Sequence, residues 1–81
     1  MNIKYFAWLK NITNIDEEVI NESSISDLKS LINYLINKYP KFKKYLDDDV
    51  IRVAINLEYT IENKSLKKTD EIAFFPQVSG G

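Results

Sequence analysis

Apolar residues return along this chain with two different periods, and each period predicts an element. Ile3, Tyr5 and Ala7 alternate with Lys4, Phe6 and Trp8, a period of two that suits a strand with its first set turned toward a core. After a polar connection at Asn11 to Asn14, the segment Ile15 to Ile20 is acidic yet carries Ile15, Val19 and Ile20, and it reads as an edge strand antiparallel to the first. Ser24 stands three residues before Asp27, a helix-start spacing in which a hydroxyl accepts a backbone N–H and a carboxylate sits at the positive end of the helix. Ile25, Leu28, Leu31, Ile32, Leu35, Ile36 and Tyr39 then recur at helical spacing up to Pro40, where the helix has to stop. In the charged connection Lys41 to Asp49, the residues Phe42, Tyr45 and Leu46 suit a short helical turn against the core.

Alternation resumes at Val50 to Asn56, with Ile51, Val53 and Ile55 on one face and Arg52, Ala54 and Asn56 on the other, as in a central strand. Tyr59 and Ile61 mark a short following strand, Leu66 anchors the polar stretch Asn63 to Asp70, and a last strand runs from about Glu71 to Phe75. Pro76 has no N–H to give a ladder, so the sheet is expected to end there. The order strand, strand, helix, strand, strand, strand predicts an α+β fold: a mixed sheet of about five strands with one main helix packed on a single face. Residues 1–75 form the domain on this reading, and 76–81 a flexible tail. The other sheet face is left open, with Phe6, Ala54, Ala73 and Phe75 expected on it, and such a cluster is expected to be a protein docking surface.

Composition removes most self-contained chemistry. The 81 residues include no cysteine and no histidine, which excludes thiol nucleophiles, disulfides, thiolate zinc sites, Ser-His-Asp triads and imidazole metal ligands. With a formal net charge of -1 there is no global attraction for phosphate backbones or anionic lipid. Neither nucleic acid nor membrane is an expected partner, and a protein is. No apolar run approaches the roughly 20 residues of a membrane-spanning helix, and no signal-peptide pattern opens the chain, so the expected location is cytoplasmic. Asp47-Asp48-Asp49 lacks the ligand spacing and glycine of a calcium loop and is read as a solvated connection, so no metal site is assigned.

Glycine is the anomaly. The chain has two, Gly80 and Gly81, so every turn is built without glycine while the pair ends the sequence. A segment without side chains threads a narrow channel and approaches another backbone closely. Extended, Pro76 to Gly81 would reach roughly 20 Å at about 3.3–3.6 Å per residue. A terminal carboxylate is a poor acyl donor and needs outside activation. Adenylation makes it a mixed anhydride, and attack by sulfur leaves a thiocarboxylate able to deliver that sulfur.

The closing run Asp70-Glu71-Ile72-Ala73-Phe74-Phe75-Pro76-Gln77-Val78-Ser79-Gly80-Gly81 resembles the end of the MoaD/ThiS sulfur carriers. Tyr5 to Lys10 is similar to that family's first strand, Ser24-Ile25 with Leu28 to its helix start, and Val53-Ala54-Ile55-Asn56 to its central strand. The resemblance implies a β-grasp, ubiquitin-like fold with Gly81 as the reactive residue and Gly80 permitting its passage. It further implies Phe6, Phe75, Pro76, Val78 and Ser79 as partner-binding residues.

On the same resemblance, a ubiquitin-activating-type adenylyltransferase uses ATP to adenylate Gly81, and a sulfurtransferase system supplies the sulfur. The tail then enters the large subunit of molybdopterin synthase, in a heterotetramer, and gives dithiolene sulfur to cyclic pyranopterin monophosphate. No cofactor is bound by the chain itself, and turnover belongs to the assembly. Delivery to thiamine synthesis or tRNA thiolation, attachment to a lysine as a protein modifier, or a binding module with an inert tail are the alternatives. The sequence departs from the family pattern at Thr69 and Leu57, where glycine is usual, and at Gln77, where a second proline is frequent.

Overall fold

In the structure, a computed structural model that describes residues 1–77, the chain forms a five-stranded sheet. Strand β1 (Asn2–Tyr5) pairs antiparallel with β2 (Glu17–Val19) and parallel with β5 (Glu71–Pro76). Strand β3 (Ile51–Ile55) pairs antiparallel with β5 and with β4 (Glu58–Thr60), giving the order β2-β1-β5-β3-β4. The last strand to be synthesised is therefore the middle one, and β3, read as central, lies beside it. Helices α1 (Lys10–Thr13), α2 (Leu28–Lys38) and α3 (Phe42–Asp47) complete the described fold. This is the expected α+β, β-grasp arrangement.

The core is the period-two face of the strands closed by the 3.6-period face of α2. Ile3, Tyr5, Ile72 and Phe74 from the middle strands meet Leu28, Leu31 and Leu35, with Phe42 of α3 and Leu9 filling in. Three of these rings interlock: Phe42 stands edge-on to Phe74 at 5.4 Å and to Tyr5 at 6.3 Å, while Tyr5 stacks on Phe74 at 6.2 Å. Expected core alternation stops at Tyr5. Ala7 has φ 55 and is exposed, because the chain leaves the strand there and winds into a 3-10 turn (Ala7–Leu9) that runs on into α1. Asn11 to Asn14, expected as a polar connection, is thus mostly helical, and it buries Thr13, whose hydroxyl bonds Ile15 O at 2.8 Å.

Helix α2 starts later than Ser24 suggests. Asp27 is its N-cap, accepting from Ser30 N–H at 2.8 Å while Ser30 Oγ accepts from Asp27 N–H at 3.1 Å, a reciprocal capping box with serine in the third position. Ile25 precedes the helix but is still buried. The two-residue β3–β4 turn places both Asn56 (φ 51) and Leu57 (φ 72) in the left-handed region, as a tight hairpin demands, although neither is glycine. Asn56 compensates with its side chain: its amide donates to Asp70 Oδ1 at 2.9 Å and accepts from Glu71 N–H at 3.0 Å. The turn is thereby pinned to the start of β5. Among the described residues no helix is long and apolar enough to cross a membrane.

Candidate functional site

The sheet face away from α2 carries the site. Register across it sets Glu17 beside Lys4, Lys4 beside Ala73, Ala73 beside Ala54 and Ala54 beside Tyr59. Two alanines between longer side chains make the floor of a groove of about 380 Å³, walled by Phe6, Leu57, Tyr59 and Phe75. Phe6, Ala54, Ala73 and Phe75, expected on this face, all line the groove. Phe6 is 49% exposed, held at the end of β1 by its N–H bond to Phe74 O at 3.0 Å. Phe75 is half-buried because the Tyr59 ring lies against it, with centroids 5.4 Å apart.

One end of the groove is polar. Lys4 Nζ lies 2.6 Å from Glu71 Oε1, joining the first and last strands, and this hydrogen bond with the charge of Glu71 raises the Lys4 ammonium above its ordinary range. The groove is thus an apolar strip closed at one end by an ion pair. Leu57, Tyr59 and the Lys4–Glu71 pair were not singled out from the sequence. Tyr59 was within reach of it: a two-residue turn at Asn56-Leu57 sets Tyr59 opposite Ala54.

The last strand runs one residue further than expected. Pro76 pairs with Ile51 and belongs to β5, and Gln77 N–H still reaches Val50 O at 2.7 Å. A proline can occupy this position when the ladder bond is made by its neighbour. Pro76 is half-buried in the strand and does not line the groove, so the structure does not bring it together with Phe6 and Phe75. Val78, Ser79, Gly80 and Gly81 lie outside the described residues. Among the described residues no group of three or more acidic side chains is placed to hold a metal ion.

Another polar cluster lies outside the groove lining. Glu18 accepts from Tyr5 Oη and Tyr39 Oη, both at 2.7 Å, and from Lys38 Nζ. Burial alone would raise this carboxyl, but the three donors, with the nearby ammonium, hold it below the usual range. Its role is to tie edge strand β2 to the end of α2.

The pattern of the ThiS family matches residues 3–81. The molybdopterin synthase sulfur carrier subunit of Haemophilus influenzae is 30% identical over 81 residues, covering 100% of this chain and 99% of that protein. The solution structure of the small archaeal modifier protein 1 of Methanosarcina acetivorans superposes with a TM-score of 0.77 at 27% identity, covering 99% of this chain and 94% of that one. A complex of subunits 1 and 2 of the molybdopterin-converting factor from Helicobacter pylori contains a chain that matches with a TM-score of 0.68 at 26% identity, over 99% and 96% of the two chains.

Proposed function

This chain belongs to the ThiS family as a sulfur carrier of the MoaD/ThiS type, and on that premise we propose that it is the carrier subunit of molybdopterin synthase. The groove of Phe6, Ala54, Leu57, Tyr59, Ala73 and Phe75 seats a larger subunit, in a heterotetramer. Residues beyond Gln77 reach into that subunit. The single observation that supports this reading is the topology: the last strand of the chain is the middle strand of the sheet, and its Phe75 is a wall of the groove. Docking and delivery are therefore mechanically one event. The likeness to a chain in a two-subunit molybdopterin-converting complex supports the same partner.

The chemistry follows from the ending. An adenylyltransferase transfers AMP from ATP to the Gly81 carboxylate, releasing pyrophosphate. A nucleophilic sulfur from a sulfurtransferase system attacks the acyl carbon, the C–O bond to AMP breaks, and a C–S bond replaces it. Gly80 lets the chain pass through a narrow channel without a Cβ. In the large subunit the thiocarboxylate sulfur attacks a carbon of cyclic pyranopterin monophosphate, water cleaves the resulting acyl C–S bond so that Gly81 returns as a carboxylate, and two such transfers supply the two dithiolene sulfurs. The described residues contribute docking, and ATP is bound by the partner.

Intact-mass spectrometry after incubation with the adenylyltransferase, ATP and a sulfur donor tests the first half: one oxygen is replaced by sulfur at Gly81. Adding the large subunit and the pyranopterin precursor then yields dithiolene product. An unchanged mass, or a thiolated chain that yields no dithiolene, overturns the reading. The likeness to small archaeal modifier protein 1 favours a second reading, in which the activated Gly81 is joined to a lysine of another protein. Covalent conjugates in cells, lost when Gly81 is removed, distinguish it.

A further inference from the structure

Strand β4 is an outer edge of the sheet, and one of its residues turns its backbone groups away from the ladder. Gln77 N–H bonds Val50 O at 2.7 Å and Asn56 N–H bonds Glu71 O at 2.8 Å, so the even-numbered residues of β3 give their backbone groups to β5. Its odd-numbered residues therefore face β4, where Val53 stands opposite Thr60 and Ile55 opposite Glu58. Tyr59, between those two, points its N–H and C=O to the outer side, where the described residues supply no strand. We propose that a second copy of this chain pairs with this edge, β4 antiparallel to β4 about a two-fold axis at Tyr59.

The edge matches itself. An axis at Tyr59 lets the two copies of that residue exchange both N–H···O bonds, and it sets Leu57 of one copy opposite Ile61 of the other. Leu57, Tyr59 and Ile61 are 90%, 80% and 97% exposed, large apolar side chains at alternate positions and hence on one face. Glu58, the one charged residue of the strand, falls opposite Thr60, so no like charges meet. The strand carries neither the lysine nor the proline that commonly blunts an edge. Both of its ends are fixed: Asn56 is held to Asp70 and Glu71, and Glu62 N–H bonds Thr60 Oγ1 at 3.2 Å.

The opposite edge disfavours the same pairing. Strand β2 follows Asp16 and begins Glu17-Glu18, so a second copy laid along it brings carboxylates of both chains together. Pairing over one three-residue strand makes a small interface, under about 1,200 Å² in total, which belongs to the weak class. A Kd of about 10–100 µM is expected. Leu57 and Tyr59 also wall the groove assigned to the larger subunit. On that reading a paired copy covers part of the docking strip of the free carrier and leaves when the larger subunit arrives. The pairing itself does not depend on that reading.

Sedimentation velocity of the full chain from about 10 µM to about 1 mM tests this. The expected result is a concentration-dependent passage from one chain to two, with the Tyr59 amide proton exchanging severalfold more slowly in the concentrated sample. L57K and I61E, both at exposed positions, each weaken self-association about tenfold or more with the circular dichroism of the wild type. Mixed one to one, they associate more tightly than either alone, because the register sets position 57 of one copy against position 61 of the other.

A single chain at every concentration, self-association that survives both substitutions, or a mixture no tighter than its components overturns the proposal. So does a monomer whose Tyr59 amide becomes protected only when the large subunit binds, which gives the edge to a partner's strand. Loss of thiolation at Gly81 with the dimer intact removes the sulfur-carrier reading alone, and the reverse result removes only the pairing.

Discussion

Asn63 and Asp27, 36 positions apart, meet through a 2.9 Å hydrogen bond from Asn63 Nδ2 to Asp27 Oδ2. The same amide turns its oxygen to Lys29 N–H, also at 2.9 Å. Leu28 N–H is taken by Lys64 O at 2.8 Å and Ser30 N–H by Asp27 Oδ1 at 2.8 Å. The first donors of α2, which have no partner inside the helix, are thus satisfied by its own cap and by the segment after β4. N63A leaves the Lys29 donor without its acceptor and is expected to cost about 0.5–1.5 kcal/mol, read as a lower urea midpoint with an unchanged slope.

The same clasp sets an acid limit. The Ser30 side chain, the Asn63 amide and the Ser30 backbone N–H lower the Asp27 carboxyl to about 2, and Glu18 is also held below its ordinary range. Both folded-state values are depressed, so their stabilisation is complete above the ordinary carboxylate range and is lost as pH falls through the folded-state values. Urea midpoints measured from pH 7 down to 2 should fall below about pH 4. D27N and E18Q should each flatten that fall while lowering stability at neutral pH. A wild-type midpoint that stays level to pH 2 contradicts the assignment.

Leu57 holds a left-handed backbone that costs a residue with a Cβ about 1–2 kcal/mol, and its side chain is exposed. L57G is expected to raise stability by about 1 kcal/mol. Because Leu57 also walls the groove, the same variant should bind the large subunit more weakly. Thermal melts and titration calorimetry on one sample read both effects.

Phe75 and Tyr59 pack against each other on the proposed docking face. F75A is expected to weaken association with the large subunit by about 1–2 kcal/mol, roughly tenfold or more, with little change in melting temperature. The matched core variant F74A removes a ring packed against Tyr5 and Phe42 and should cost about 3–5 kcal/mol of folding stability. If F75A bound as tightly as wild type, the docking face would be elsewhere.

Much of this was legible in the sequence because periodicity reports which face a residue shares. Ile3 and Tyr5 read as inward and are buried, while Phe6, Ala73 and Phe75 read as outward and line the groove. Where the reading failed, a local exception was decided by contacts distant in sequence. Ala7 continues the alternation of β1, yet the chain turns away there to send Leu9 into the core. Ser24 has the spacing of a cap, but Asp27 has the partners.

By itself the sequence determined the strands, the main helix, the missing thiol and imidazole chemistry and the diglycine, since these depend on residue type and local spacing. Only the tertiary structure decided that β5 is the middle strand and that Tyr59 shields Phe75. Strand order and register bring together residues from distant parts of the chain, and no local period encodes which strands become neighbours.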